Sequence, residues 1–224
     1  MLIFDLDDTL YSEFDFVKSG LQAVAQEAAA TGLIDREEAL RILKEAKTTA
    51  HGFDHLASIL WMADPSRALT VKDFVKVYRT HRPDIKLGPG VRSTLERLRG
   101  MGVNMGIITD GRSETQRAKI AALGLGDYIL KRNILISGET GFEKVSQEPF
   151  DIMMDRNPDT GVFIFLGDNP AKDFRWPNRL GWVTVQLDAR SPDANVHSQL
   201  IDVPDDFRAK YHISSFPEIL DYIS

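Results

Sequence analysis

Three apolar runs, each closed at its C-terminal edge by an acid, limit what this chain can fold into. Leu2-Ile3-Phe4 leads into Asp5-Leu6-Asp7-Asp8-Thr9, Val103 to Ile108 leads into Thr109-Asp110-Gly111, and Val162 to Leu166 leads into Gly167-Asp168-Asn169-Pro170-Ala171-Lys172-Asp173. Continuous apolar runs of this length, lacking polar alternation, suit strands buried on both faces of a parallel sheet. In open sheets of that kind ligands bind beyond the carboxyl ends of the strands. Positions two apart on an extended chain face the same way, so Asp5 and Asp7 leave the first strand on one side. Taken singly, each cluster also reads as an ordinary polar turn or helix cap. Their common order along the chain is the stronger statement.

Asp110 stands 105 positions beyond Asp5 (110 minus 5), too far for a simple strand–helix–strand crossover. The segment between is patterned for helices. Ser12 and Asp15 have capping-box spacing, followed by Val17, Leu21, Val24 and Ala28 at helical intervals up to Gly32. Asp35 opens a second helix with Ala39, Ile42 and Leu43 inward, a third carries Leu56, Ile59 and Leu60, and Thr70 with Asp73 opens a fourth that Pro83 stops. Residues 14–86 are therefore expected to form a helical bundle inserted into a core made of 1–13 and 87–224. In the remainder strand and helix patterns alternate. Val91, Leu95 and Leu98 lie on a helix, Ser113 and Gln116 cap another, and Asn133–Ser137, Val183–Leu187 and Tyr211–Ile213 read as strands. The expected fold is α/β: a doubly wound, mostly parallel, Rossmann-like sheet with a helical-bundle cap insertion. Residues 190–206, rich in Asp, Pro and Ser, read as a surface loop.

Asp5-Leu6-Asp7-Asp8-Thr9, Thr109-Asp110-Gly111, Lys144 within Gly141–Phe150, and Gly167-Asp168-Asn169-Pro170 with Asp173, taken in that order, resemble the haloacid dehalogenase superfamily of phosphohydrolases over nearly the whole chain. The Asp-Asp-Thr-Leu-Tyr wording of residues 7–11 is similar to pyrimidine nucleotidase-like members. One departure is Val145, where the family usually has proline after the lysine. The resemblance implies that Asp5 is a nucleophile forming an aspartyl phosphate, and that Asp7 is a general acid and then a base. It implies that Thr109 with the amides of Asp110 and Gly111 binds phosphoryl oxygens while Lys144 balances charge. It also implies Mg2+ on the Asp5 carboxylate, the Asp7 carbonyl and Asp168, with Asp173 supporting through water. The cap would read the leaving group, with Tyr11, His51, Phe53 and His55 as candidate specificity residues. The last three sit in a stretch, Thr48–His55, read as an interhelical turn, with Phe53 tucked into the bundle as the competing reading.

Composition narrows the partners. The chain has 224 residues, no cysteine and a formal charge of −6, which excludes disulfides and cysteine metal sites and disfavours a nucleic-acid backbone. An acidic protein that binds an anionic phosphate needs a cation to reconcile the two. No run spans a bilayer and no basic leader precedes an apolar stretch, so a cytoplasmic, non-membrane protein, monomer or homodimer, is expected to act on a small phosphorylated metabolite, a nucleoside monophosphate or a sugar phosphate. An acid at Asp7 disfavours dehalogenation within the superfamily. A phosphomutase and a non-catalytic metabolite- or partner-binding relative remain as alternatives.

Overall fold

The computed structural model describes residues 1–188 and 203–223. The chain forms two compact units, Met1–Phe14 with Ile85–Ser224, and Asp15–Asp84. The first unit holds a six-stranded sheet of order β3-β2-β1-β4-β5-β6, every neighbouring pair parallel. Its strands are β1 (Leu2–Phe4), β2 (Met105–Thr109), β3 (Ile134–Ile136), β4 (Ile164–Gly167), β5 (Val183–Leu187) and β6 (Tyr211–Ile213). Helices α5 (Val91–Gly100), α6 (Ser113–Ala122), α7 (Ser137–Thr140), α8 (Glu148–Arg156) and α9 (Arg175–Arg179) connect them. Strands β1, β2, β3 and β4 are buried at every position, which explains why the sequence is so apolar there. On one face Ile3, Ile108 and Phe165 pack with Phe150, Phe174 and Trp182. The buried aromatics each contribute on the order of 2–3 kcal/mol by leaving water.

At the amino ends of the strands three asparagines close a ring. Asn104 Nδ2 donates to Asn157 Oδ1 at 3.0 Å, Asn157 Nδ2 to Asn133 Oδ1 at 3.1 Å, and Asn133 Nδ2 to Asn104 Oδ1 at 3.0 Å. Within the ring each amide donates once and accepts once, and Asn133 and Asn157 donate again to the Met105 and Met153 carbonyls, so the fully buried Asn133 is satisfied in the interior.

The second unit comprises α1 (Glu13–Ala30) from Asp15 onward, α2 (Arg36–Glu45), α3 (Thr49–Ala63) and α4 (Val71–Thr80). Val24, Ala28, Leu43, Leu56, Leu60 and Phe74 are among the residues of its core. The Thr70–Asp73 capping box forms in both directions, as the spacing predicts. Gly20, inside α1, faces the Tyr78 ring so closely that a Cβ there would lie 2.5 Å from it. The glycine therefore trades helix propensity for close packing.

Two readings differ from the structure. The first amide of α1, that of Glu13, donates to the Asp8 carboxylate at 2.8 Å, a partner the Ser12–Asp15 spacing does not suggest. The stretch read as an interhelical turn is helix: α3 begins at Thr49, with Thr48 accepting from the His51 amide as its cap. Gly52 is not a turn glycine. A Cβ there would meet Ala46 at 3.2 Å and Leu43 at 3.3 Å, so the residue lets α2 and α3 approach closely. Most of the 190–206 stretch lies outside the described residues; Asp205–Phe207 is a 3-10 turn. Among the described residues no helix is long and apolar enough to cross a membrane.

Candidate active site

The sheet register levels the polar strand ends. Phe4 pairs with Ile107 on one side and Leu166 on the other, and the Asp5 amide continues the ladder to the Leu166 carbonyl at 2.9 Å. Asp5, Thr109 and Asp168 thus emerge together at the carboxyl edge. Asp8 then takes a left-handed backbone (φ 54°), a conformation that Asp tolerates better than most residues, and turns the chain away from the strand. Around this edge lies a cavity of about 310 Å3 whose lining includes Asp5, Asp7, Thr109, Asp110, Lys144 and Asp168.

Carboxylate oxygens of Asp5, Asp168 and Asp173 all lie within 4.8 Å of one another, and all three residues are buried. Lys144, 3 % exposed, sits among them, its Nζ 2.8 Å from Asp5 and 2.6 Å from Asp173. The other Asp173 oxygen accepts from the Asn169 amide at 2.9 Å. One lysine does not balance three acids. Burial pushes the Asp5 carboxyl up, Lys144 works against this, and the Asp173 charge adds to it. Burial likewise raises Asp168, with the Asp173 and Asp5 charges adding to the effect. For Lys144 burial favours the neutral amine, but the surrounding carboxylates outweigh it and hold the ammonium charged. Oxygen-rich, buried and short of positive charge, the cluster suits a hard divalent cation.

The lysine reaches the cluster from a loop held at two points. Its amide donates to the Asp110 carboxylate at 3.0 Å, and the carbonyl of Val145 accepts from the Trp176 indole at 2.8 Å. Val145 itself is half exposed. An indole hydrogen bond thus restrains the loop at a position where a proline ring would otherwise do so.

Several sequence expectations require correction. The Gly111 amide, expected to meet a phosphoryl oxygen, instead donates to Ser137 Oγ at 2.9 Å, because the start of α7 packs directly against this turn and the Gly138 amide bonds the Gly111 carbonyl. Tyr11, a candidate for reading the leaving group, is 2 % exposed, and its hydroxyl donates to the Asp7 carboxylate. Burial and the neighbouring Asp7 charge raise the phenol, keeping it a donor. Gln116 does not cap α6. It points inward and donates to Asp7 Oδ2 at 2.9 Å and to Thr109 Oγ1 at 2.8 Å. Lys119, absent from the sequence expectations, is buried with its Nζ 2.6 Å from Asp7 Oδ1. The sequence carries a signal for this pair: the inward stripe of α6 is Gln116, Lys119 and Ile120, and two polar residues on a buried face need partners. In the helical unit Phe53 is 3 % exposed and packs against Phe74 and Tyr78, matching the tucked-in alternative rather than a substrate contact. His51 and His55 are exposed on α3.

Comparison with known proteins places this arrangement. The chain is 28% identical to a glyceraldehyde 3-phosphate phosphatase of Methanocaldococcus jannaschii, over 99% of this chain and 96% of that one. It is 33% identical to a pyrimidine 5'-nucleotidase of Escherichia coli, over 45% of this chain and 44% of that one. A solved hydrolase structure from Geobacter sulfurreducens superposes with a TM-score of 0.63 at 19% identity, over 100% of this chain and 95% of that one, a likeness of fold. The sequence pattern of the haloacid dehalogenase-like hydrolases matches residues 2–185, from the first residue of β1 into β5. With that match spanning the strands that converge on the acid cluster, the chain is an enzyme of the haloacid dehalogenase-like hydrolase family.

Proposed function

We propose that this enzyme hydrolyses a small phosphomonoester, a sugar- or triose-type phosphate, through an aspartyl phosphate on Asp5 with Mg2+ as cofactor. The observation that carries the reading is the placement of Asp5. Its carboxylate lies 2.8 Å from the Lys144 ammonium, clusters with Asp168 and Asp173, and lines the same cavity as Thr109 and Asp7. A nucleophile must be buried enough to shed water yet reach an open pocket, and Asp5 meets both conditions.

In this reading the Asp5 carboxylate attacks phosphorus, forming a P–O bond as the ester P–O bond breaks. The departing alkoxide takes a proton from Asp7. Asp7, now a carboxylate, takes a proton from a water molecule that attacks the aspartyl phosphate and releases inorganic phosphate, which restores both groups. Thr109 donates to a phosphoryl oxygen, and Lys144 holds Asp5 and offsets the charge gathered around it. Mg2+ would be held by the Asp5 carboxylate, the Asp7 carbonyl and Asp168, and would supply neutralising charge for a dianionic substrate. Asp173 has one oxygen on Lys144 and the other on the Asn169 amide, which suits it to support through water.

For the substrate, a relative matched along nearly its full length is named for a triose phosphate, and a second for ribulose 1,5-bisphosphate. The nucleotidase likeness covers under half the chain. Exposed His51 and His55 on α3 are the remaining candidates for reading the leaving group. The test is inorganic phosphate release from a panel of triose, pentose and hexose phosphates, nucleoside monophosphates and an aryl phosphate, with Mg2+ or chelator, beside Asp5→Asn. Magnesium-dependent turnover lost in Asp5→Asn is expected. Turnover that persists in Asp5→Asn would overturn the aspartyl-phosphate assignment, and preference for nucleotides would overturn the substrate class.

A further inference from the structure

We infer that Gln116 and Lys119 are positioning residues for the reaction: together they fix the aim of Asp7, and Gln116 also sets the direction in which the Thr109 hydroxyl donates. The inference rests on the phosphohydrolase reading above. Asp7 is the group asked to move a proton twice, yet its carboxylate is only partly buried and stands beyond the end of β1 rather than on it. Its two oxygens are nevertheless held from below. Lys119 Nζ and the Tyr11 hydroxyl meet Oδ1, and Gln116 Nε2 meets Oδ2 at 2.9 Å. The orientation of the Gln116 amide is chemically determined, because a carboxylate only accepts and must face the amide nitrogen.

The second proton of the same amide goes to Thr109 Oγ1, 2.8 Å away. A hydroxyl that accepts there keeps its own proton for another partner. A phosphoryl oxygen offers lone pairs and no proton, so Thr109 is set as a donor toward it. One neutral side chain therefore links the acid–base group to the phosphate-binding group. Gly111 makes room for it: a Cβ at 111 would lie 3.0 Å from Gln116 Cδ, on a backbone with φ of 143°. Gln116 and Lys119 are 2 % and 4 % exposed, so neither has solvent as an alternative partner for its polar end.

A residue that merely fills the core and one that aims Asp7 differ in what they do to substrates with different leaving groups. A dinitrophenolate departs without a proton, whereas an alkoxide requires one, and kcat/KM reports the steps through its departure. Gln116→Met and Lys119→Met keep the length of the side chain and remove the donors. In each, kcat/KM for an alkyl phosphate is expected to fall about ten- to a hundredfold further than for 2,4-dinitrophenyl phosphate. Gln116→Met is expected also to weaken inhibition by inorganic phosphate, because it removes the donor that Thr109 Oγ1 accepts from. Tyr11→Phe, which removes a single hydroxyl, should move the same ratio in the same direction and serves if a methionine variant does not fold. Equal losses on both substrates, or an unchanged ratio in variants that melt cooperatively, would overturn the positioning role. If Asp5→Asn still abolished turnover, the hydrolase reading would stand without it; a wild-type protein with no turnover would remove both.

Discussion

A side chain at residue 167 would begin 2.3 Å from Asp173 Oδ2, so the last residue of β4 has to be glycine for Asp173 to stand where it does. Asp173 in turn receives the Lys144 ammonium at 2.6 Å and the Asn169 amide at 2.9 Å. Gly167→Ala should therefore displace the carboxylate and loosen both partners. The expected result is a loss of about 1–3 kcal/mol of stability from overpacking. Magnesium affinity should fall about tenfold or more, as when other outer supports of a metal site are lost. Calorimetric titration with magnesium beside thermal unfolding checks both.

Lys144 is the single cation in contact with both Asp5 and Asp173 among the described residues. Lys144→Met keeps the aliphatic stem and leaves two buried carboxylates facing each other. Removing one partner of a buried ion pair costs about 3–5 kcal/mol, and that is the destabilisation expected in denaturant unfolding without metal. Added magnesium should recover part of it. An unfolding midpoint equal to wild type would contradict the arrangement.

The raised Asp5 and Asp168 carboxyls set the sign of a pH effect. Both titrate above their unfolded values, so in the chelated protein the folded state binds more protons than the unfolded one from the ordinary carboxylate range upward. Stability from these two groups is present in full below about pH 4 and declines as pH rises through their folded values. A bound cation takes the place of the missing protons. The gap in Tm between magnesium-loaded and chelated protein should therefore widen with pH, and a gap constant from pH 5 to 8 would contradict it.

Asn157→Ala opens the asparagine ring at the far end of the strands. The buried Asn133 carbonyl loses its donor, at a cost of about 1–3 kcal/mol. Because Asn104, Asn133 and Asn157 lie at the amino end of the sheet, kcat of the folded fraction at low temperature should remain at the wild-type value. Thermal unfolding and assays well below the melting range separate the two effects.

The strands of the core and their polar ends were legible because burial leaves a largely apolar signature, and because Asp5, Thr109 and Asp168 stand at or just past the ends of these runs. The Thr70–Asp73 cap was legible because its chemistry is local. What the sequence hid were pairings across distance. Gln116 and Lys119 lie 109 and 112 positions from Asp7, and nothing in their neighbourhood announces that partner. The same applies to the asparagine ring, whose members look like ordinary turn residues. The Thr48–His55 stretch reads as a turn but is helix, and its Gly52 serves packing against α2, which only the fold reveals. Gly111 was assigned by its neighbours in the motif, but its amide is taken by a serine 26 positions away.

The place of β1 in the sheet also bears on how the protein is made. This strand is flanked on one side by residues 105–107 and on the other by residues 164–166. During synthesis this strand has no neighbour until about a hundred further residues have been added. Its second neighbour arrives some sixty residues later still. Through that interval the segment leading into Asp5 is a short apolar stretch without a sheet to join, while the helical unit draws its contacts from within residues 15–84. The acids of the cluster can therefore gather only once Asp168 and Asp173 have been made, long after Asp5.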